Sequence, residues 1–364
     1  MTVARKEEFP GFEGDILLIQ LGDIGDVVLT LPAIRALKEN FPDRKLVACV
    51  RDKARDLVQE CVWTDGVIAI GKEKRDLRNE ILHQYNFFRA LRKRDFGLAV
   101  ELRTGTRGAI LAFLSGAPCR IGRFADDGIW WRNRLFTHLV RPANELTQYS
   151  AEHSLNILAP LDLRIRNRIP EIAVSAERKR EARALFAREG VSADRPVFAI
   201  HPFSLWKYKE WKVDQWVRLV DDLIERFQCD VIITGSPDER MRAREILEKS
   251  KGHIFNLAGK TPIGLLPAVL QACRFFIGVD TAALHIAAAV GTPTVGIFGP
   301  SSPICWAPRG EGHYVVSRKM ACVPCRDKGC SGSEISRCLD ELGYTEVREK
   351  VAAHFSPGRR EAEE

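Results

Sequence analysis

Short apolar runs alternate with amphipathic stretches along almost the whole chain, and the scheme is played twice. In the first half the runs are DILLIQL (15–21), KLVACV (45–50), GVIAI (66–70) and GLAVEL (97–102). Helical patterns such as DKARDLVQECV (52–62) and LRNEILHQYNFFRALRKR (77–94) separate them. In the second half the runs are PVFAIHPF (196–203), DVIITG (230–235), IFNLAG (254–259), FFIGVD (275–280) and PTVGIFG (293–299). Strand-sized segments of this kind, each followed by a helical period, predict parallel strands joined by crossover helices. Residues 142–174 between the two series are polar and punctuated by proline, as a linker is. The expected fold class is therefore α/β: two Rossmann-like doubly wound domains in tandem facing a central cleft, with the functional loops at the carboxyl ends of the strands. The expected boundaries are 13–160 and 172–335. Residues 336–356, with the helical spacing YTEVREKVAAHF, are expected to dock back on the first domain.

The 364 residues, 45% of them hydrophobic, suffice for two cores. The first fifteen residues are charged and carry no apolar stretch of the kind a secretory signal needs. No run approaches the ~18 apolar residues of a membrane helix. These features predict a chain that stays soluble in the cytoplasm. The net charge of +7 is unevenly spread: residues 72–141 hold 15 Lys and Arg against 7 Asp and Glu. Such an excess suits either a solvated basic face or an anionic ligand or membrane surface. Four of the ten cysteines, Cys322, Cys325, Cys330 and Cys338, fall close together. Without an export signal they are expected as reduced thiols. A metal could use them, although the intervals after the first pair are irregular for a zinc ribbon, and a structural rather than catalytic role is expected.

Two stretches carry chemistry. Residues 20–32, QLGDIGDVVLTLP, read as strand, glycine turn and helix, normally a phosphate site because free N–H groups and the positive helix end point into it. Here, however, Asp23 and Asp26 would repel a diphosphate. Residues 278–300, GVDTAALHIAAAVGTPTVGIFGP, make the complementary case. Asp280 is placed to cap a helix whose first residues, Thr281 and Ala282, offer N–H groups among small side chains.

These two motifs, in this order, resemble the heptosyltransferase family of bacterial glycosyltransferases, glycosyltransferase family 9. The likeness rests on G-D-x-x-x-T-x-P-A-I-R-A-L-K from Gly25 and D-T-x-x-x-H-x-A-A-A-x-G-x-P-x-V-x-I-F-G-P from Asp280. The resemblance implies a GT-B architecture with the acceptor on the N-terminal domain and the nucleotide sugar on the C-terminal one. It implies inverting transfer of heptose from ADP-heptose to a hydroxyl of the lipopolysaccharide inner core. Asp26 matches the general base. Lys209, with Lys207 as the alternative register, matches the lysine that meets the donor diphosphate. Ser204, Glu239, Asp280, Thr281, Ala282 and His285 match the donor site, Glu239 at the ribose hydroxyls. Arg103, Arg107, Arg120 and Arg123 are candidates for an anionic, lipid-linked saccharide acceptor. Two positions depart from the family pattern: Ala282 replaces a glycine, and Gln20 stands where relatives carry a basic residue.

No cofactor or metal is expected, because the acid pairs Asp126–Asp127 and Asp221–Asp222 lie in a basic loop and a helix rather than in a donor-site D-x-D. Contact with the cytoplasmic face of the inner membrane is compatible with the basic half. A different nucleotide sugar or acceptor remains the alternative within the fold. An NAD-dependent oxidoreductase is opposed by the lack of G-x-G-x-x-G in either half. A nucleic-acid binder is opposed by the lack of an RNA-binding aromatic signature, and the Trp130–Trp131 pair is as readily core.

Overall fold

In a computed structural model of the chain, the described residues are 11–71, 86–126 and 129–355. The chain divides into two units, Met1–Pro170 and Glu171–Glu364. The first holds six strands, β1 Asp15–Gln20, β2 Leu46–Arg51, β3 Gly66–Ile70, β4 Phe96–Glu101, β5 Cys119–Arg123 and β6 His138–Val140. They form one parallel sheet in the order β3-β2-β1-β4-β5-β6. The second unit repeats the arrangement with β7 Val197–His201, β8 Asp230–Ile233, β9 Ile254–Asn256, β10 Phe275–Val279, β11 Thr294–Phe298 and β12 His313–Ser317. Its order is β12-β11-β10-β7-β8-β9. Each sheet is thus doubly wound, its order reversing between β1 and β4 or between β7 and β10.

The central strands are covered on both faces, which is why their sequences are apolar without alternation. Ile16 to Ile19 in β1, Leu98 to Val100 in β4 and Phe275 to Ile277 in β10 are each essentially inaccessible. Three strands escape the sequence reading: β5 interrupts its buried residues with two arginines (CRIGR), β6 has only three residues, and the edge strand β12 is mostly half-buried. The helix expected from Leu77 falls partly outside the described residues; residues 86–92 are helical.

The expected linker does not end the first unit at 160, since the helix Ser150–Ile157 packs on the helix Ile24–Asn40 and Asn40 bonds Arg164 through both backbone groups. The tail also corrects its expectation. The helix Tyr344–His354 docks within its own unit, against the helix Val213–Phe227, with Val347 and Val351 fully buried in the second core. Trp211 Nε1 donates to Leu342 C=O (3.0 Å), Tyr344 N–H donates to Gln215 Oε1 (2.9 Å), and Phe355 stacks on Phe198. Val347→Ala should therefore lower the unfolding free energy of the second unit by about 2 kcal/mol, the scale of two lost buried methyl groups. A urea titration followed by tryptophan fluorescence checks it; an unshifted transition would mean that the helix is not docked.

Candidate active site

At the reversal point of a doubly wound sheet the loops of two adjacent strands diverge to opposite faces, and a crevice opens at their carboxyl ends. In the first unit those loops follow β1 and β4. Gln20 closes β1 with its side chain turned inward: Nε2 donates to Thr30 Oγ1 (2.8 Å) and Oε1 accepts the Gly22 N–H (3.1 Å). Thr30 donates in turn to the Asp26 carbonyl (2.8 Å) and lies 3.3 Å from the Ser154 hydroxyl. At the position where the family resemblance implies a basic residue, this chain thus has the buried amide that ties the turn to its helix.

The helix Ile24–Asn40 starts after Asp23, whose N–H donates to Asp26 Oδ2 (2.9 Å). The same oxygen receives Arg103 Nη1 from the β4 loop at 2.7 Å. Gly22 makes this contact possible, because a Cβ there would come within 2.7 Å of Arg103 Nη1 and of Asp26 Cβ, and closer still to Asp26 Oδ2. Asp23 faces the other way, toward Lys53 Nζ (2.5 Å) and Arg51 Nη1 (3.4 Å) at the end of β2. Burial raises its carboxyl, but the Lys53 hydrogen bond and charge, with Arg51 and Arg103, outweigh that and hold it below the ordinary carboxylate range.

Beneath Arg103 lies a buried ion pair, both side chains 1% exposed. Arg132 Nη2 donates to Glu101 Oε2 (2.6 Å) and to the Arg103 carbonyl (2.7 Å), while Glu101 Oε1 accepts the Arg103 N–H (3.1 Å). Burial pushes the Glu101 carboxyl upward, while the Arg132 charge and the Arg103 N–H pull it back down.

The four candidate acceptor arginines have different surroundings. Arg103 meets Asp26, and Arg107 stays exposed in the first turn of the helix Thr106–Leu114. Arg120 is tied internally: its side chain donates to the Ala117 and Leu135 carbonyls (2.7 Å each) and lies over the Phe113 ring. Arg123 pairs with Glu145. The cations that do join Arg103 at the strand ends, Arg51 and Lys53, lie outside the basic window and were missed. Trp130, a candidate for the core, is instead 73% exposed under Arg134.

In the second unit the crevice lies between the β7 and β10 loops. Lys209 Nζ, in the short turn Lys207–Lys209, donates to Asp280 Oδ2 at 2.6 Å. Lys207 turns away to Glu210 (2.8 Å), which also pairs with Arg242 and accepts the Ser204 N–H (3.1 Å). The geometry separates the two lysines: Lys209 stands at the helix start and Lys207 does not. Asp280 is not the cap. Thr281 holds the N-cap position of the helix Ala282–Ala289, so the N–H groups that open the helix have no residue four back within it to accept them; that of Leu284 bonds the Thr281 carbonyl (3.2 Å), and no acid stands in this first turn. His285 is buried on that helix.

Glu239 closes the turn after β8, its Oε2 accepting the Ser236 N–H (2.7 Å). Next to it His201, at the end of β7, holds Thr234 Oγ1 at 3.0 Å through Nδ1. Burial drives this imidazole down to about 4 despite Glu239 and Glu210, so it is neutral at physiological pH. His201 had no sequence signal beyond its place at a strand end.

Cys322, Cys325, Cys330 and Cys338 are free thiols, and among the described residues no three metal-ligating side chains converge. Among those residues, too, no helix is long and apolar enough to cross a membrane.

Residues 84–335 match the family described as Glycosyltransferase family 9 (heptosyltransferase). The chain is 30% identical over 294 residues to lipopolysaccharide heptosyltransferase 3 of Escherichia coli, covering 78% of this chain and 83% of that one. Among solved structures, E. coli ADP-heptose LPS heptosyltransferase II superposes with a TM-score of 0.77 at 21% identity over 93% of this chain and 98% of that one. A family 9 glycosyltransferase from Veillonella parvula gives 0.79 at 18% identity, over 94% and 97%. At these identities the two structures speak to the fold, which they share with this chain.

Gly22→Ala should displace the Asp26–Arg103 pair and cost about 1–3 kcal/mol of stability, the usual range for overpacking. Thermal melts of the purified variant check it; a melting temperature equal to wild type would show that the turn is loose.

Proposed function

Because the chain belongs to glycosyltransferase family 9, the heptosyltransferases, we propose that it moves heptose from ADP-heptose to a hydroxyl of the lipopolysaccharide inner core by one inverting displacement. The observation that carries this reading is the state of Asp26. Both hydrogen bonds to its carboxylate fall on Oδ2, and among the described residues none accompanies them on Oδ1. A carboxylate held by one oxygen at the end of a helix, with the other available, is suited to accept a proton and not to hold a diphosphate.

In this reading the acceptor hydroxyl oxygen bonds to the anomeric carbon as the bond from that carbon to the β-phosphate oxygen breaks. ADP leaves with the electron pair, and the hydroxyl proton passes to Asp26 Oδ1. A positioned base of this kind contributes roughly 10²–10⁴ in rate. The charge that develops on ADP falls to Lys209 and to the first-turn N–H groups at Thr281 and Ala282, which act where a divalent ion otherwise would. Glu239 and Ser204 complete the donor side. The lipid-linked acceptor belongs to the first unit, where Arg51 and Lys53 supply cations. Inner-membrane contact at the cytoplasmic face goes with such an acceptor. The alternative donors, other nucleotide sugars, share the diphosphate contacts and differ only at the base and sugar.

Three experiments test the reading. In a thermal-shift panel of ADP, UDP, GDP and CMP, ADP should stabilise most, by about 2.7 kcal/mol at 100 times its Kd; a larger shift with UDP or GDP would move the enzyme to another donor. Asp26→Asn, which can still cap, should leave ADP affinity within a few-fold and cut kcat roughly 10²–10⁴-fold, whereas Lys209→Ala should weaken ADP binding and lower kcat together. Transfer should survive EDTA. Loss of ADP binding with retained turnover in Asp26→Asn would assign the carboxylate to the donor.

A further inference from the structure

Arg103 was expected among contacts to an anionic acceptor, yet its guanidinium is engaged by Asp26. The torsion that orients an aspartate carboxylate is soft, with broad wells and no strong preference. Left to itself, Asp26 would present either oxygen at a range of angles. Two donors from different parts of the chain remove that freedom: the Asp23 N–H from its own turn and Arg103 Nη1 from beyond β4, both on Oδ2.

Arg103 is itself 47% exposed, and a long side chain on a mobile loop would hold nothing in place. Its backbone, however, is fixed at both polar groups. The N–H is bound by Glu101 and the carbonyl by Arg132, and these two partners form the ion pair buried beneath the loop. Such a pair contributes little net stability, because the desolvation of both charges offsets their attraction. What it does supply is direction, since Glu101 and Arg132 together bind both polar groups of one residue, the residue that reaches Asp26.

We propose that Arg103 is a positioning residue for the reaction, turning the Asp26 carboxylate so that Oδ1 faces the acceptor hydroxyl. The proposal rests on Asp26 being the base. It differs from a direct acceptor contact in one measurable respect: Arg103 acts through Asp26, so its contribution vanishes when Asp26 cannot act.

A double-mutant cycle reads this out. Arg103→Gln should lower kcat about 10–100-fold while the KM values for donor and acceptor stay within about twofold, and Arg103→Lys should recover part of the loss. In the Asp26→Asn background, followed by product formation at high enzyme concentration, the same Arg103→Gln change should alter the residual rate less than twofold. A full further loss in that background, or a raised acceptor KM at unchanged kcat, would overturn the proposal in favour of direct contact with substrate. A crippled Asp26→Asn beside a wild-type-like Arg103→Gln overturns this proposal alone, whereas an Asp26→Asn enzyme with normal kcat overturns the base assignment and takes the proposal with it.

Discussion

The reversal of strand order between β1 and β4, and again between β7 and β10, is the constraint on which the crevice of each unit depends. Elsewhere in a parallel sheet, successive loops cross over the same face and cover one another. At the reversal they part, and the carboxyl ends of two adjacent strands are left without a covering crossover. Each sheet bridges that gap with one ion pair, Asp26–Arg103 in the first and Lys209–Asp280 in the second. The two polar ends of the strands are thereby joined, and the same charges are left where a ligand arrives.

The two pairs have opposite sense, and this separates the roles of two otherwise equivalent crevices. After β1 the helix carries its acid in the first turn, so the positive end of the helix is already answered and a second anion is unwelcome. After β10 the acid lies outside the helix, held by Lys209, and the first turn of Ala282–Ala289 carries none. One backbone device, a helix beginning at a strand end, thus carries a carboxylate in its first turn in the first unit and none there in the second, a difference set by a shift of a few residues in the position of one acid.

Buried polar bonds hold the loops around these pairs. Gln20, Thr30 and Ser154 tie the β1 turn to two helices, and His201 with Thr234 ties the ends of β7 and β8. Such groups are expensive to bury without partners, so each admits few arrangements of its loop. The neutral state of His201 follows from this burial, and it leaves the charge at the crevice of the second unit to Lys209 and the neighbouring acids.

The sequence alone determined the repeated α/β architecture, because a strand covered on both faces must be apolar throughout and β1, β2, β4, β7, β10 and β11 show it. It also located both glycine- and small-residue helix starts, since their spacing is local. It could not show that Glu101 and Arg132, thirty-one residues apart, meet beneath Arg103, or that Lys209 and not Lys207 reaches Asp280. Nor could it separate Arg103 from Arg120 and Arg123, which look alike in a basic window and differ only in the carbonyls and carboxylates that folding brings to them. The tail helix was legible as a helix but not as to its partner, because an apolar stripe says that a face is buried and leaves its partner unstated. Local patterns of apolarity and backbone geometry are written in neighbouring residues; the pairing of charges across a sheet is decided only when parallel strands bring distant loops side by side.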